Sequence, residues 1–333
     1  FHMIFTSYNQ EMAQEGLRQL ELIVNNQHSP EQPNHRALRN DMTTSLENEI
    51  DTKEDTLKIA NNPESREIAD AYALLARIYA GPRFTWEESN FPENNMRTYQ
   101  CLHDSIRRCS PIGTLQALRI NGTITPTVEK DMLISFDDAF RIVYDYAEQG
   151  DAFCQYIIGN VFFWRDDNRI SLARDMITPP RLSLAKRIQQ SLQKGSIQER
   201  LIALQGTISN ETLQENATNL AKEWFNRALD NGLAMFQGNL RNIYIDEGDF
   251  DNARRVALTA AELGNPTMML YTGLDCHEHG KFEDAFTWFT KGAALGQAES
   301  TAELADYYYH FYDAKELRRV IPYDPVKAIG LYR

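Results

Sequence analysis

Three glycines, Gly232, Gly264 and Gly296, stand at intervals of 32 residues, and the residues around them keep the same register. Ala221, Ala253 and Ala285 coincide under that shift, as do Trp224, Val256 and Trp288, and then Tyr244, Cys276 and Tyr308. Gly248 matches Gly280, and Phe250 matches Phe282. A fixed period in the range of about 20–50 residues, carrying small residues, aromatics and glycines at matched positions, is the signature of stacked supersecondary units. Such a chain builds its core by stacking one unit on the next.

The chemistry of each position predicts what the unit is. Phe250, Ala253, Val256, Ala257, Ala260 and Ala261 recur at three- and four-residue steps, which makes one amphipathic helical face. Gly264 then ends the helix in a left-handed cap, and Pro266 suits the first turn of the next. Alanines fall where two helices approach closely. Trp224, Trp288, Tyr244 and Tyr308 fill the spaces between neighbouring pairs.

These residues resemble the Sel-one-like (SLR) repeats, a branch of the tetratricopeptide-like α/α solenoids. The stretch "FEDAFTWFTKGAALGQAESTAELADYY" follows the family pattern from its acidic-aromatic start. The sequence "DDAFRIVYDYAEQG", followed by Ala152, Cys154, Tyr156, Ile158, Gly159 and Phe162, is a further copy. "REIADAYALLARIYAGP" fits the second half of the pattern, weaker copies are "YQCLHDSIRRCSPIGTLQALRI" and "LSLAKRIQQSLQKGSIQERLIALQG", and "YDPVKAIGLYR" opens another unit. The resemblance implies an all-α, right-handed superhelical solenoid of stacked antiparallel helix pairs, about six of them, over residues 66–333. It also implies bacterial origin and a non-enzymatic scaffold that binds a protein or peptide segment. Residues 1–65 do not fit the repeat and are expected to form a helical N-terminal cap from two helices separated by the polar loop Gln27–Arg39. Gly206–Asn216, Trp164–Pro180 and Pro82–Asn95 are expected as insertions between helices.

The second-half helices, by the same resemblance, line the concave face. Their positions seven, ten and eleven past the repeat glycine lie on one side of each helix. The candidate partner-binding residues among them are Asn160, Asn239, Asn242, Tyr271, Asp275, Glu303, Asp306 and Tyr307. Asparagines there would clamp an extended backbone, and tyrosines would supply apolar area with a polar tip.

Charge and motifs narrow the alternatives. With 34 Lys and Arg against 47 Asp and Glu, the net charge of −13 argues against nucleic acid as the partner. No transmembrane run of 18 apolar residues occurs. The N-terminus lacks the basic and apolar regions of a signal peptide, and Phe1-His2-Met3 reads as a cloning remnant, which leaves room for a leader already removed. Cys101, Cys109, Cys154 and Cys276 form no CxxC pair, which favours a reducing, cytoplasmic setting. Sequons at Asn121, Asn210 and Asn216 are expected as chance matches in an Asn-rich chain. In "CHEHG", His277 and His279 are two residues apart and point about 200° apart on a helix, so no metal site is expected. No catalytic motif and no cofactor fingerprint is present. The adjacent pairs Asp137-Asp138 and Asp166-Asp167 are expected to be solvated. Tyr308 is expected in the core and the rest of the tyrosine run under the Lys315–Asp324 loop. Two other readings stay open: an enzyme with its site in residues 82–95 or 164–180, and a carbohydrate- or cell-wall-binding module stacking sugars on Trp86, Trp164 or the tyrosine run.

Overall fold

Glycine, with no Cβ, is the residue that lets a helix stop in the left-handed conformation and reverse direction within two residues. Gly150, Gly264 and Gly296 do so, with φ of 99°, 101° and 87°, while Gly232, with φ of 87°, ends its helix the same way but the next helix starts only at Gly238. The N–H after each glycine reaches back to a carbonyl near the helix end: Asp151 to Tyr146, Leu233 to Ala228, Asn265 to Ala260 and Gln297 to Gly292, at 3.1, 2.9, 3.0 and 3.1 Å. After Gly150, Gly264 and Gly296 the next residue caps the following helix, whereas after Gly232 the cap position is Gln237, with no side-chain bond. Asp151 accepts from the Cys154 N–H, and Asn265 from the Met268 N–H.

The computed structural model describes residues 8–25, 53–81, 91–120, 129–179, 184–197, 208–235, 237–310 and 321–332, the side chains at 53, 64, 65, 184 and 185 excepted. Among these residues it contains 16 α-helices and no strand. The first five are α1 (Gln10–Asn25), α2 (Lys53–Asn61), α3 (Pro63–Tyr79), α4 (Asn95–Ile106) and α5 (Pro111–Ile120). They are followed by α6 (Phe136–Glu148), α7 (Ala152–Phe163), a 3-10 turn at Asp166–Asn168, α8 (Ser171–Ile177) and α9 (Leu184–Leu192). The repeats found by register are α10 (Asn210–Asp230) with α11 (Gly238–Asp246), α12 (Phe250–Glu262) with α13 (Pro266–Glu278), and α14 (Phe282–Ala294) with α15 (Ala298–Tyr309). The last helix, α16 (Pro325–Leu331), packs on α15.

Successive helices pack on one another from α10 to α15, and α7 packs directly on α10. The stack therefore passes from residue 163 to residue 210, with α8 beside it against α6 and α10. Two expected insertions thus contain helix. Trp164–Pro180 holds the 3-10 turn and α8, and Gly206–Asn216 holds the start of α10, where Ser209 accepts from the Thr212 N–H at 3.1 Å. Both were hidden because neither keeps the repeat register. The loop 27–39, the insertion at 82–90 with Trp86, and Asn121 lie outside the described residues.

Helix crossings decide how closely the stack can pack. A Cβ added at Gly159 of α7 would lie 2.6 Å from the Phe225 ring of α10, and one at Gly273 of α13 would lie 2.5 Å from the Phe289 ring of α14. A glycine on a second-half helix thus receives a phenylalanine from the next first-half helix. One core runs from α1 to α13, and a second gathers around Phe289, Tyr307 and Ala328.

The N-terminal segment touches two parts of this arrangement that are far apart in sequence. Helix α1 buries Ala13, Gly16, Leu17, Leu20 and Val24 on one face and packs on α3. The Tyr79 hydroxyl donates to Glu21 at 2.5 Å, and Arg97 lies 3.4 Å from the same carboxylate. Tyr8, just before α1, is buried, and its ring lies 3.3 Å from where a Gly264 Cβ would stand.

Asn265 has two jobs at the α12–α13 turn. Its Oδ1 accepts from Met268 N at 3.0 Å, and its Nδ2 donates to the Ala234 carbonyl at 2.8 Å. Asn265→Ala removes a cap and orphans a buried carbonyl, so it should lower stability by about 2 kcal/mol in urea denaturation. A loss under about 0.5 kcal/mol would show that water replaces both bonds.

Candidate functional site

Helices α11 to α14 enclose a groove of about 870 Å³. Its floor is Ala253, Ala257 and Leu258 of α12, one wall carries Arg241 and Ile245 of α11, and the other carries Tyr271, Leu274 and Asp275 of α13. Phe250 of α12 and Trp288 of α14 also line it. Leu258 and Phe250 are exposed, so the lining offers apolar area to solvent.

The repeat explains why the hollow is here. Nine residues past each cap glycine stand Gly159, Arg241, Gly273 and Ala305, and seven before the following glycine stand Phe225, Ala257 and Phe289. Two crossings pair glycine with phenylalanine. At the α11–α12 crossing the register sets Arg241 against Ala257, so the glycine column carries an arginine and the phenylalanine column only a methyl group. Arg241 leans over Tyr271, with its guanidinium carbon 4.0 Å from the ring centroid. Arg254 is held by Asp251 at 2.6 Å and lies 3.8 Å from Asp275. Arg255 donates to Asn226 at 2.7 Å and to Asn252 at 3.1 Å.

The candidate residues distribute unevenly. Tyr271 and Asp275 line the groove. Asn239 and Asn242 sit on α11, half-buried and exposed, outside the groove lining. Glu303 and Asp306 are half-buried on α15, where Asp306 accepts from the Tyr332 hydroxyl. Asn160 is 9% exposed and donates to the Tyr156 carbonyl, and Tyr307 is 0% exposed, so neither presents a surface. Tyr307 packs on Phe286 and Phe289, with its hydroxyl 2.7 Å from His277 Nδ1. The position eleven past the glycine is core at Val161, Ile243 and Tyr307 because it flanks the helix–helix seam beside the aromatic position that follows it.

The adjacent carboxylates are not solvated, contrary to expectation. Asp137 accepts from the Leu172 N–H at 2.9 Å and so caps α8, while Asp138 is buried and accepts from Ser135 at 2.7 Å. Asp166 pairs with Arg119, and burial still pushes its carboxyl up to about 6. Asp167, equally buried, is held below the usual carboxylate range against that burial by hydrogen bonds from Arg165 and Arg174, each at 2.7 Å. Trp164 is exposed, but Arg119 lies over its ring at 5.6 Å and Phe163 meets it edge-on at 4.9 Å. Burial pushes the Cys101 and Cys109 thiols up to about 11. Asn216 is half-buried and donates to the Ile177 carbonyl at 2.8 Å. His279 Nδ1 lies 2.7 Å from the Asp275 carbonyl, so the two histidines of "CHEHG" face different partners. Among the described residues no three His, Cys, Asp or Glu side chains converge on one point, and no helix is long and apolar enough to cross a membrane.

No protein-family model matches the sequence, and no curated protein matches it. Among solved structures, a Sel1 repeat protein from Oxalobacter formigenes is similar: the match covers 87% of this chain and 93% of that one, at 15% identity and a TM-score of 0.38. The resemblance to the Sel-one-like repeats rests on the register of the glycines and of the helix pairs they close.

Proposed function

We propose that this protein is a non-enzymatic adaptor whose helix pairs wind as a right-handed superhelix and bind a segment of another protein in the groove between α11 and α14. The observation that carries the reading is the groove itself. An unfilled hollow with an apolar floor and convergent polar groups has the makeup of a recognition site, and leaving it unfilled costs packing that the neighbouring crossings keep. Tyr271 contributes a rigid aromatic wall, and Leu258 an apolar floor. Asn239, Asn242, Asp275, Glu303 and Asp306 extend the second-half helix faces from that centre, so a longer partner would meet them too.

A phage-displayed library of random 12-residue peptides, selected on the purified protein, tests this. Peptides recovered on the wild type should bind Leu258→Asp and Tyr271→Ala at least tenfold more weakly, with circular dichroism unchanged because Leu258 is exposed and Tyr271 half-buried. Equal binding to both variants would move the contact surface elsewhere.

A further inference from the structure

Among the described residues, Arg241 in the groove wall is a half-buried cation with no carboxylate or carbonyl partner. Among the described residues Arg241 makes no side-chain hydrogen bond and no ion pair; its guanidinium meets only the Tyr271 ring. The two neighbouring arginines are engaged, Arg254 by Asp251 and Arg255 by Asn226 and Asn252. The other charges at the groove without such engagement, Glu278, Lys281 and Asp284, are exposed at the turn between α13 and α14 and alternate in sign. Water screens them from one another and from a partner.

Arg241 differs because it is half-buried and held against a flat ring. A guanidinium stacked on an aromatic face keeps its N–H donors in the plane, directed away from the ring, where a carboxylate matches them two at a time. The same column holds glycine or alanine in the other three repeats, so the repeat's packing does not call for an arginine there.

We infer that the segment bound in this groove is acidic: an Asp or Glu side chain docks on Arg241, and an adjoining aliphatic or aromatic side chain fills the hollow over Ala253, Ala257 and Leu258. This rests on the groove reading above and names the chemistry of its occupant. Two of the groove carboxylates, Asp251 and Asp275, are turned to Arg254, which reduces their repulsion of an incoming acid.

The test uses peptides selected from the 12-residue library on the wild-type protein. The recovered sequences should be enriched in Asp or Glu next to a large apolar residue. A synthetic consensus peptide should lose at least tenfold in affinity when its acid is changed to the amide, a measurement made on unaltered protein. Arg241→Glu should lose at least as much and, in a fresh selection, should recover peptides carrying Lys or Arg instead; Arg241→Lys should retain part of the affinity. If the consensus carries no acid and binds Arg241→Glu as well as wild type while failing on Leu258→Asp, the acidic occupant is wrong and the groove stands. If no peptide is recovered, or binding ignores both Arg241→Glu and Leu258→Asp, the groove and its occupant fall together.

Discussion

Truncating either crossing aromatic, Phe225→Ala or Phe289→Ala, is expected to lower the free energy of unfolding by about 3–5 kcal/mol in urea denaturation. Each ring is fully buried and lies where a Cβ on the opposing helix could not fit. The cost has two parts, the lost transfer of the ring from water and the cavity left behind. Collapse is limited, because the backbones are already spaced to take a ring against a glycine. The reverse change, Gly159→Leu, drives new atoms into Phe225 and should cost about 1–3 kcal/mol or more. A Phe225→Ala loss below about 1 kcal/mol would mean that α7 slides onto α10 and closes the gap. In that case the open crossing at Arg241 and Ala257 would need another explanation, since closure would be cheap there too.

Asp70→Ala is expected to cost about 3 kcal/mol, from a different source. Arg66 is buried, donates to Asp70 at 2.9 Å and to the Ala60 carbonyl at 2.9 Å, and lies 4.4 Å from the Tyr146 ring centroid. Ser110, which caps α5 by accepting from Gly113 N at 2.9 Å, donates to Asp70 at 2.6 Å. One carboxylate thus holds α2, α3 and α5 in register. Removing it strands a buried guanidinium, and the Asp70 side chain, 22% exposed, sets the figure at the low end of the buried-pair range. Burial raises the Asp70 carboxyl above its usual value against the pull of Ser110 and Arg66, so the pair itself is a poor source of net stability. Arg66→Met with Asp70→Leu should therefore recover most of the loss, and a double-mutant cycle in urea measures the coupling. An Asp70→Ala loss below about 1 kcal/mol would show that water reaches Arg66.

The helix pairs were legible because their punctuation is local. A glycine that must turn left-handed, and a side-chain cap immediately after it, are fixed by neighbours in sequence. Acidic pairs were misread because their partners are remote: Asp166 finds Arg119, and Asp137 finds the amide of Leu172. The candidate ladder was misread at Asn160 and Tyr307 because spacing gives the direction of a helix face but not its width. Helix α7 is buried on nearly every side from Phe153 to Phe162, since α5, α6 and α10 surround it. The groove centre was in the sequence all along, as one column reading glycine, arginine, glycine, alanine. It surfaces only when that column is set against the Phe, Ala, Phe of the facing helices.

Tyr8 gives the array a strut. Stacked repeats ordinarily feel only their nearest neighbours, so strain in one unit dies out within the next. Here the residue just before α1 bears on Gly264, at the foot of the helix that carries Tyr271 and Asp275. Through Tyr8 the α12–α13 turn thus touches the start of α1, and α1 is bonded through Glu21 to Tyr79 of α3 and Arg97 of α4.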